Sequence, residues 1–190
     1  MAITVEAMSP ETLVELVNGW GSDPRSADGR SGTAYPPAAE ITGRLAMAAG
    51  VGDTVTAEQL PRAADRLHRV FDTAQPRERA RLVTELLDET GIRPALHMGP
   101  TDSPHLSWLV EQGPMVVLAS AAVTLRDYLG KHGMGRIGVC TGNRCADVYI
   151  DASPAGRRRF CSVTCQNRAR VAAFRSRRGA GGRGPRSMNA

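Results

Sequence analysis

Cys140-Thr-Gly-Asn-Arg-Cys145 and, after fifteen further residues, Cys161-Ser-Val-Thr-Cys165-Gln-Asn-Arg168 decide how this chain is read, because they hold all four of its cysteines. A C-x4-C pair followed by a C-x3-C pair offers four soft thiolates, the donor set that tetrahedral Zn2+ prefers. Four thiolates close the shell and leave no position for water, so the pattern points to a structural zinc and away from a catalytic one. Two disulfides would need an oxidising compartment, and Met1-Ala-Ile-Thr-Val-Glu-Ala7 has neither the basic n-region nor the apolar h-region of a secretory signal. Unrelated buried or redox thiols would be scattered along the chain, whereas these lie within 26 residues. His132 is a conceivable further ligand, but four cysteines do not need it.

The residues around the cysteines suggest how the ligands are brought together. Gly142 and Asn143 tolerate positive φ and suit a tight knuckle. Val148-Tyr-Ile150 and Arg158-Arg-Phe160 are short β-prone runs on either side of the turn-rich Asp151-Ala-Ser-Pro-Ala-Gly156, which predicts a hairpin between them. From Ser162 to Arg178 there is neither Gly nor Pro, and a helix is expected, with Cys161 and Cys165 on one face of its first turn. Knuckle, hairpin and helix together make a treble-clef-like arrangement. On a helical wheel Cys161, Cys165, Ala169, Ala172 and Ser176 share a face, a seam of small residues for the metal and hairpin. The opposite face carries Asn167, Val171, Phe174 and Arg178, flanked by Arg170 with Arg177 on one side and Arg168 with Arg175 on the other. Such a helix suits the major groove: arginines on phosphates, Asn167 toward adenine, Val171 or Phe174 against a thymine methyl. The alternatives stay open at this point. Asn167 and Arg168 could bond the local backbone or the thiolates, Val171 and Phe174 could dock on the rest of the chain, and Arg157-Arg158-Arg159 is either a phosphate patch or a solvated basic edge.

Cys161-Ser-Val-Thr-Cys165-Gln-Asn-Arg168-Ala-Arg170-Val-Ala-Ala-Phe-Arg175, preceded by Cys140 and Cys145, resembles the CGNR zinc finger. The segment departs from the name-giving motif in having Gln166 where that motif has Gly. In this family the finger usually sits C-terminal to an all-helical region, the ABATE domain, in bacterial proteins described as stress-induced transcription regulators. The resemblance covers roughly the last 45 residues firmly and the helical remainder, with Leu13-Val-Glu-Leu-Val-Asn18 near its start, loosely. It implies Zn2+ as the bound ion, a DNA-binding role, and a sensing or self-associating role for the helical part.

Length and charge agree with that division. A chain of 190 residues with 42% hydrophobic residues suits one ordinary domain and a small appendage. The net charge of +5 conceals an asymmetry, +11 from Lys131 onward against −6 before it. Four thiolates with Zn2+ contribute −2, so a metallated head still stands near +9. Twelve of its thirteen cations are arginine, the residue suited to bidentate phosphate contacts. The longest apolar run, Met115 to Val123, is about half a membrane span, so a soluble, cytoplasmic protein is expected.

Taken in order, Ser9-Pro10-Glu11 reads as a helix start, with Ser as N-cap and Pro at the first position. Leu13, Leu16, Val17 and Trp20 give its apolar face before Gly19 and Gly21 end it. Ser22 to Ser31 reads as an exposed loop. Pro36-Pro37 predicts a second helix through Ile41, Leu45 and Met47 to Gly50. A third, capped at Thr56, runs from Ala57 to Thr73 with Leu60, Ala64, Leu67 and Phe71 inward, Pro61 being near enough its start to be tolerated. Gln75-Pro76 begins a fourth with Leu82, Val83, Leu86 and Leu87 inward and Gly91 as its left-handed stop. Arg93 to Met98 and Leu106 to Val110 can pair as a short hairpin. Pro114 begins a buried fifth helix to about Leu129, and three glycines in Gly130-Lys-His-Gly-Met-Gly135 predict a linker.

The fold class expected is therefore mainly α: an ABATE-like helical domain over 1–130 with room for one hairpin, a linker at 131–136, a CGNR-type finger over 137–178 and a disordered basic tail over 179–190. Gly133-Met-Gly-Arg-Ile-Gly138 matches G-x-G-x-x-G, but a helix precedes it where the dinucleotide motif needs a strand. His68 is expected to be solvated or interfacial, and His97 and His105 to flank a turn. Asp102-Ser103-Pro104-His105 lacks a nucleophile elbow, and no acid/base cluster is visible, so an enzyme is not expected. The expected partner is double-stranded DNA, contacted through Arg157, Arg158, Arg159, Asn167, Arg168, Arg170, Arg175, Arg177 and Arg178. RNA or the ribosome, or an acidic protein partner, remain the alternatives. A homodimer and a small-molecule effector are further expectations, and no membrane contact is expected.

Overall fold

The computed structural model describes residues 2–44, 55–56, 58–98 and 102–180. Helices dominate. Strand β1 (Ile3–Val5) leads into α1 (Pro10–Trp20), followed by α2 (Ser22–Ala27), α3 (Ala39–Thr42), α4 (Gln59–Asp72) and α5 (Pro76–Thr90). The hairpin β2 (Arg93–Met98) and β3 (Pro104–Val110) comes next, then the long α6 (Val116–His132), a second hairpin β4 (Ile137–Val139) and β5 (Val148–Ile150), and α7 (Val163–Ala180).

The helix starts and stops follow the local chemistry. Ser9 Oγ accepts from the Thr12 N–H at 3.1 Å and Pro10 occupies the first turn of α1. Gly91 ends α5 at φ 62°, a left-handed position that costs Gly little. The expected inward stripes are buried: Leu13, Leu16, Val17 and Trp20 on α1, Leu60, Ala64, Leu67 and Phe71 on α4, and Val83 and Leu86 on α5, with Leu82 and Leu87 half-buried beside them. Every residue from Val116 to Leu125 on α6 is buried, so this helix is the axis on which the others pack. Ser120 Oγ donates to the Glu6 carbonyl at 2.6 Å and Thr124 Oγ1 to the Met8 carbonyl at 2.9 Å, fastening the segment between β1 and α1 to α6.

Three expectations are corrected. Ser22 to Ser31 is not an exposed loop: its first part is α2, and Arg25 is only 4% exposed. The Arg25 guanidinium donates to the carbonyls of Gly19, Arg30, Thr33 and Ala34 and lies 4.3 Å from the Tyr35 ring, so a cation holds the segment together from inside. Second, α6 continues past Leu129 into the anticipated linker as far as His132, and the glycine stop comes at Gly133, φ 92°. Third, β5 does not pair with Arg158–Phe160. It pairs antiparallel with β4, Ile137 facing Ile150 and Val139 facing Val148. The Arg158 N–H is taken instead by Asp151 Oδ2 at 2.8 Å, and a side chain at Gly138 would meet Tyr149 Oη at 2.9 Å, so glycine there lets the Tyr149 ring lie across the strand.

The expected second helix appears as α3 alone; Leu45, Met47 and Gly50 lie outside the described residues, as do residue 57 and the turn at 99–101. The hairpin at β2 and β3 is present, and β1 extends it to a three-stranded sheet in the order β1-β3-β2. Among the described residues no helix is long and apolar enough to cross a membrane.

Among the described residues two clusters make the interior. The larger joins α1, α4, α5 and α6 to Ile137, Val148 and Ile150, which are 4%, 0% and 8% exposed. The second hairpin is thus part of the same core as the helices. The smaller cluster, Val5, Val110, Val116 and Ala119, lies between the sheet and the start of α6.

Candidate metal centre

The hairpin β4–β5 sets the first two ligands. Cys140 follows directly on β4, where its N–H donates to the Asp147 carbonyl at 2.8 Å and prolongs the pairing. The turn needs one left-handed residue, and it is Arg144, φ 57°; neither Gly142 nor Asn143 has positive φ. Gly142 matters for space. A Cβ there would lie 3.3 Å from Cys140 Sγ and 3.4 Å from Cys165 Cβ, and its N–H points at Cys140 Sγ from 3.4 Å. The second pair comes from the start of α7. Cys161 precedes the helix, and Ser162 Oγ accepts the Cys165 N–H at 3.2 Å, capping the turn that carries the fourth ligand.

The four sulfurs converge. All ligand atoms lie within 4.8 Å of one another, with Cys145 to Cys161 and Cys161 to Cys165 each at 3.6 Å. Four thiolates at the ordinary Zn–S length stand about 3.8 Å apart at the corners of a tetrahedron, so the cluster has the size of the ion. A disulfide needs sulfurs about 2 Å apart, and all four cysteines are free. Burial pushes the Cys145 thiol up to about 12 and raises that of Cys161. At Cys140 burial acts in the same direction, but hydrogen bonds, led by backbone groups of Cys161 and Gly142, bring the thiol below its ordinary value. The donor set and its spacing fit Zn2+ held by Cys140, Cys145, Cys161 and Cys165. The ion's chemistry here is to stabilise four thiolates and fix their positions.

The connection between the two ligand pairs is braced from within. Asp151, 2% exposed, accepts from the N–H groups of Ser153 at 2.9 Å and Arg158 at 2.8 Å. Burial works against its ionisation, but these hydrogen bonds hold its carboxyl below the ordinary value. Arg158 is exposed, yet its guanidinium folds back onto the backbone, donating to the carbonyls of Phe160 at 2.9 Å, Ile150 at 3.1 Å and Cys161. That contact restrains the backbone carrying the third ligand.

The helical part grips the same region at three places that no local pattern announces. Asn18 at the end of α1 pairs with Val148 as a peptide would, accepting its N–H at 2.7 Å and donating to its carbonyl at 3.2 Å. His68 is buried in α4, with Nε2 2.9 Å from the Ala146 carbonyl and Nδ1 3.5 Å from Asp23; of its two expected settings the interfacial one holds. Arg79, 5% exposed, donates to the carbonyls of Val70, Phe71, Thr73 and Met134, and burial lowers its pKa. Only the amphipathic pattern of α1 and α4 was legible beforehand. His132 stacks on Tyr128, rings 4.4 Å apart, and does not join the sulfur cluster.

The basic residues lie where an external partner can reach them. Arg157, Arg159, Asn167, Arg168, Arg170, Arg175 and Arg177 are exposed, and the backbone of Arg178 lies within α7. The small-residue seam of α7 holds only near the metal. Cys165 is buried and Ala169 half-buried, but Ala172 and Ser176 are exposed, and every residue from Arg170 to Arg177 is open to solvent. Val171 and Phe174 are among the exposed large hydrophobic residues, at 49% and 53% exposure.

No curated protein matches the chain. The C-terminal segment is nonetheless a zinc-binding module: residues 136–178, from the residue before β4 to within α7, match the CGNR zinc finger.

Proposed function

We propose that this module is the duplex-DNA-binding head of a transcription regulator, held by zinc in a treble-clef-type arrangement that presents α7 and the loop at Arg157 and Arg159. The supporting observation is a contrast between two sets of arginines. Of the eleven arginines of the helical part, Arg30, Arg44, Arg66, Arg81, Arg93 and Arg126 pair with carboxylates, and Arg25 and Arg79 are surrounded by carbonyls, which leaves Arg62, Arg69 and Arg77 outside this pattern. On α7 the side chains of Arg168, Arg170, Arg175 and Arg177 make no hydrogen bond or ion pair with the described residues, and the helix has no acidic residue. Unneutralised guanidiniums on a helix that is exposed from Arg170 to Arg177 retain their charge for an external polyanion. A bare helix about 10–12 Å across fits a major groove of about 12 Å. Asn167, Val171 and Phe174 form the ridge between the arginine rows, positioned to read base edges once phosphates fix the helix.

Duplex is favoured over single strands because stacking platforms are few. Tyr149 lies over Gly138 with Arg158 5.6 Å from its ring, Phe160 is half-buried, and among the described aromatics of the module Phe174 alone is exposed, where single strands want several. The assignment of a sensing or self-associating role to the helical part follows from the resemblance to regulators that pair such a finger with an ABATE domain.

The test is fluorescence anisotropy of zinc-loaded protein with duplex DNA over a salt series, repeated with the Arg170→Ala, Arg177→Ala double variant. The slope of log affinity against log salt should fall by about 2 in that variant, one for each phosphate contact removed. Affinity that does not respond to salt would support a protein partner, and tighter binding to duplex RNA would support the RNA reading; either result refutes the proposal.

A further inference from the structure

Side chains two residues apart on a strand share a face, so the side of β3 that carries Val110 and Trp108 also carries Leu106 and Pro104. The register sets Pro94 opposite Trp108, Leu96 opposite Leu106 and Met98 opposite Pro104. One side of the hairpin is therefore apolar from end to end. Its inner end is core: Val110 is fully buried with Val5 against Val116 and Ala119, and Arg126 sits 4.8 Å from the Trp108 ring. Beyond Trp108 the same face lies open, with Leu96 66%, Met98 61% and Leu106 82% exposed.

We propose that this apolar ledge is a homodimer interface, covered by the same ledge of a second copy packed face to face across a two-fold axis. The occupant follows from charge. From Pro94 to Met98 and from Pro104 to Val110 no residue carries a formal charge, in a chain where 23% do. A two-fold contact brings a surface against itself, so a charged ledge would repel its copy, whereas an uncharged apolar one is complementary as it stands. The ledge offers no cation to nucleic acid phosphates or to anionic lipid headgroups. A specific contact needs roughly 1,000 Å² buried between the two copies, and Leu96, Met98 and Leu106, with the exposed Pro94 and Pro104 beside them, are the apolar surface from which the ledge builds it. None of these residues belongs to α7 or the zinc module, so the inference stands or falls apart from the DNA-binding proposal.

Sedimentation velocity of the zinc-loaded full chain across the micromolar range tests it, with Leu96→Glu and Leu106→Glu as separate variants. The wild-type chain should sediment as a concentration-dependent dimer, and each variant should dissociate at least about tenfold more readily. Their far-UV circular dichroism should be unchanged, since both side chains are already open to solvent within one chain. Val171→Glu, the same change at an exposed apolar position on α7, should leave the dimer intact. A wild-type monomer throughout the range, a dimer that survives both ledge variants, or a dimer abolished by Val171→Glu would overturn the proposal.

Discussion

Asn18→Ala is the sharpest test of how the zinc module is joined to the helices. The Asn18 amide accepts the Val148 N–H at 2.7 Å and donates to the Val148 carbonyl at 3.2 Å. Val148 itself is fully buried and lies three residues beyond the ligand Cys145. Truncation leaves two backbone groups without a partner in a part-buried setting. Each such loss costs about 1–3 kcal/mol, and because Asn18 is half-buried the lower end applies, giving about 2 kcal/mol in total. For a chain of this length that lowers the melting temperature by about 4–8 °C. Thermal denaturation of the zinc-loaded protein followed at 222 nm measures it directly. Transfer of zinc to a chromophoric chelator gives a second readout, expected to quicken because the strand leading out of the first knuckle has lost its support. A melting temperature within about 1 °C of wild type, together with an unchanged zinc-transfer rate, would refute the claim that Asn18 couples the two parts.

Other perturbations separate the roles of neighbouring residues. Cys165→Ser should abolish tight zinc binding, and because Ile137, Val148 and Ile150 sit in the main core, it should lower the stability of the helical part as well, seen as a single shifted melting transition; an unchanged helical melt would show the core to be independent of the metal. Arg158→Ala should destabilise the zinc-loaded state by about 1–3 kcal/mol, since three carbonyls lose their donor, whereas Arg157→Ala should leave the melt unchanged and weaken only DNA binding in the anisotropy assay. Asp151→Asn places an amide donor or a single acceptor where two N–H groups need oxygens, and a loss of about 1–3 kcal/mol is expected in chemical denaturation. Gly142→Ala forces a methyl to within 3.3 Å of Cys140 Sγ and should weaken zinc about tenfold or more in chelator competition.

The metal ligands and most helix boundaries were legible in the sequence because they rest on local chemistry. Four thiols within 26 residues name their ion by donor type and spacing, Ser9-Pro10 and Gly91 mark helix ends through backbone geometry, and the stripes of α1 and α4 are fixed by a 3.6-residue period. What the sequence could not disclose are choices made between segments far apart in the chain. Whether Val148-Tyr-Ile150 pairs with the run before the first knuckle or the one after Asp151 depends on where Asn18 and the helical core lie, 130 residues away. Composition marked the stretch after Ser22 as a loop because Asp, Gly and Ser have weak helix propensity, yet Arg25 finds its carbonyl partners only once the chain has turned back over it. Three arginines in a row looked alike in sequence, and all three are exposed in the fold; tertiary structure bent the Arg158 guanidinium back onto the carbonyls beside a ligand, since only folding decides which cation meets a carbonyl and which meets solvent.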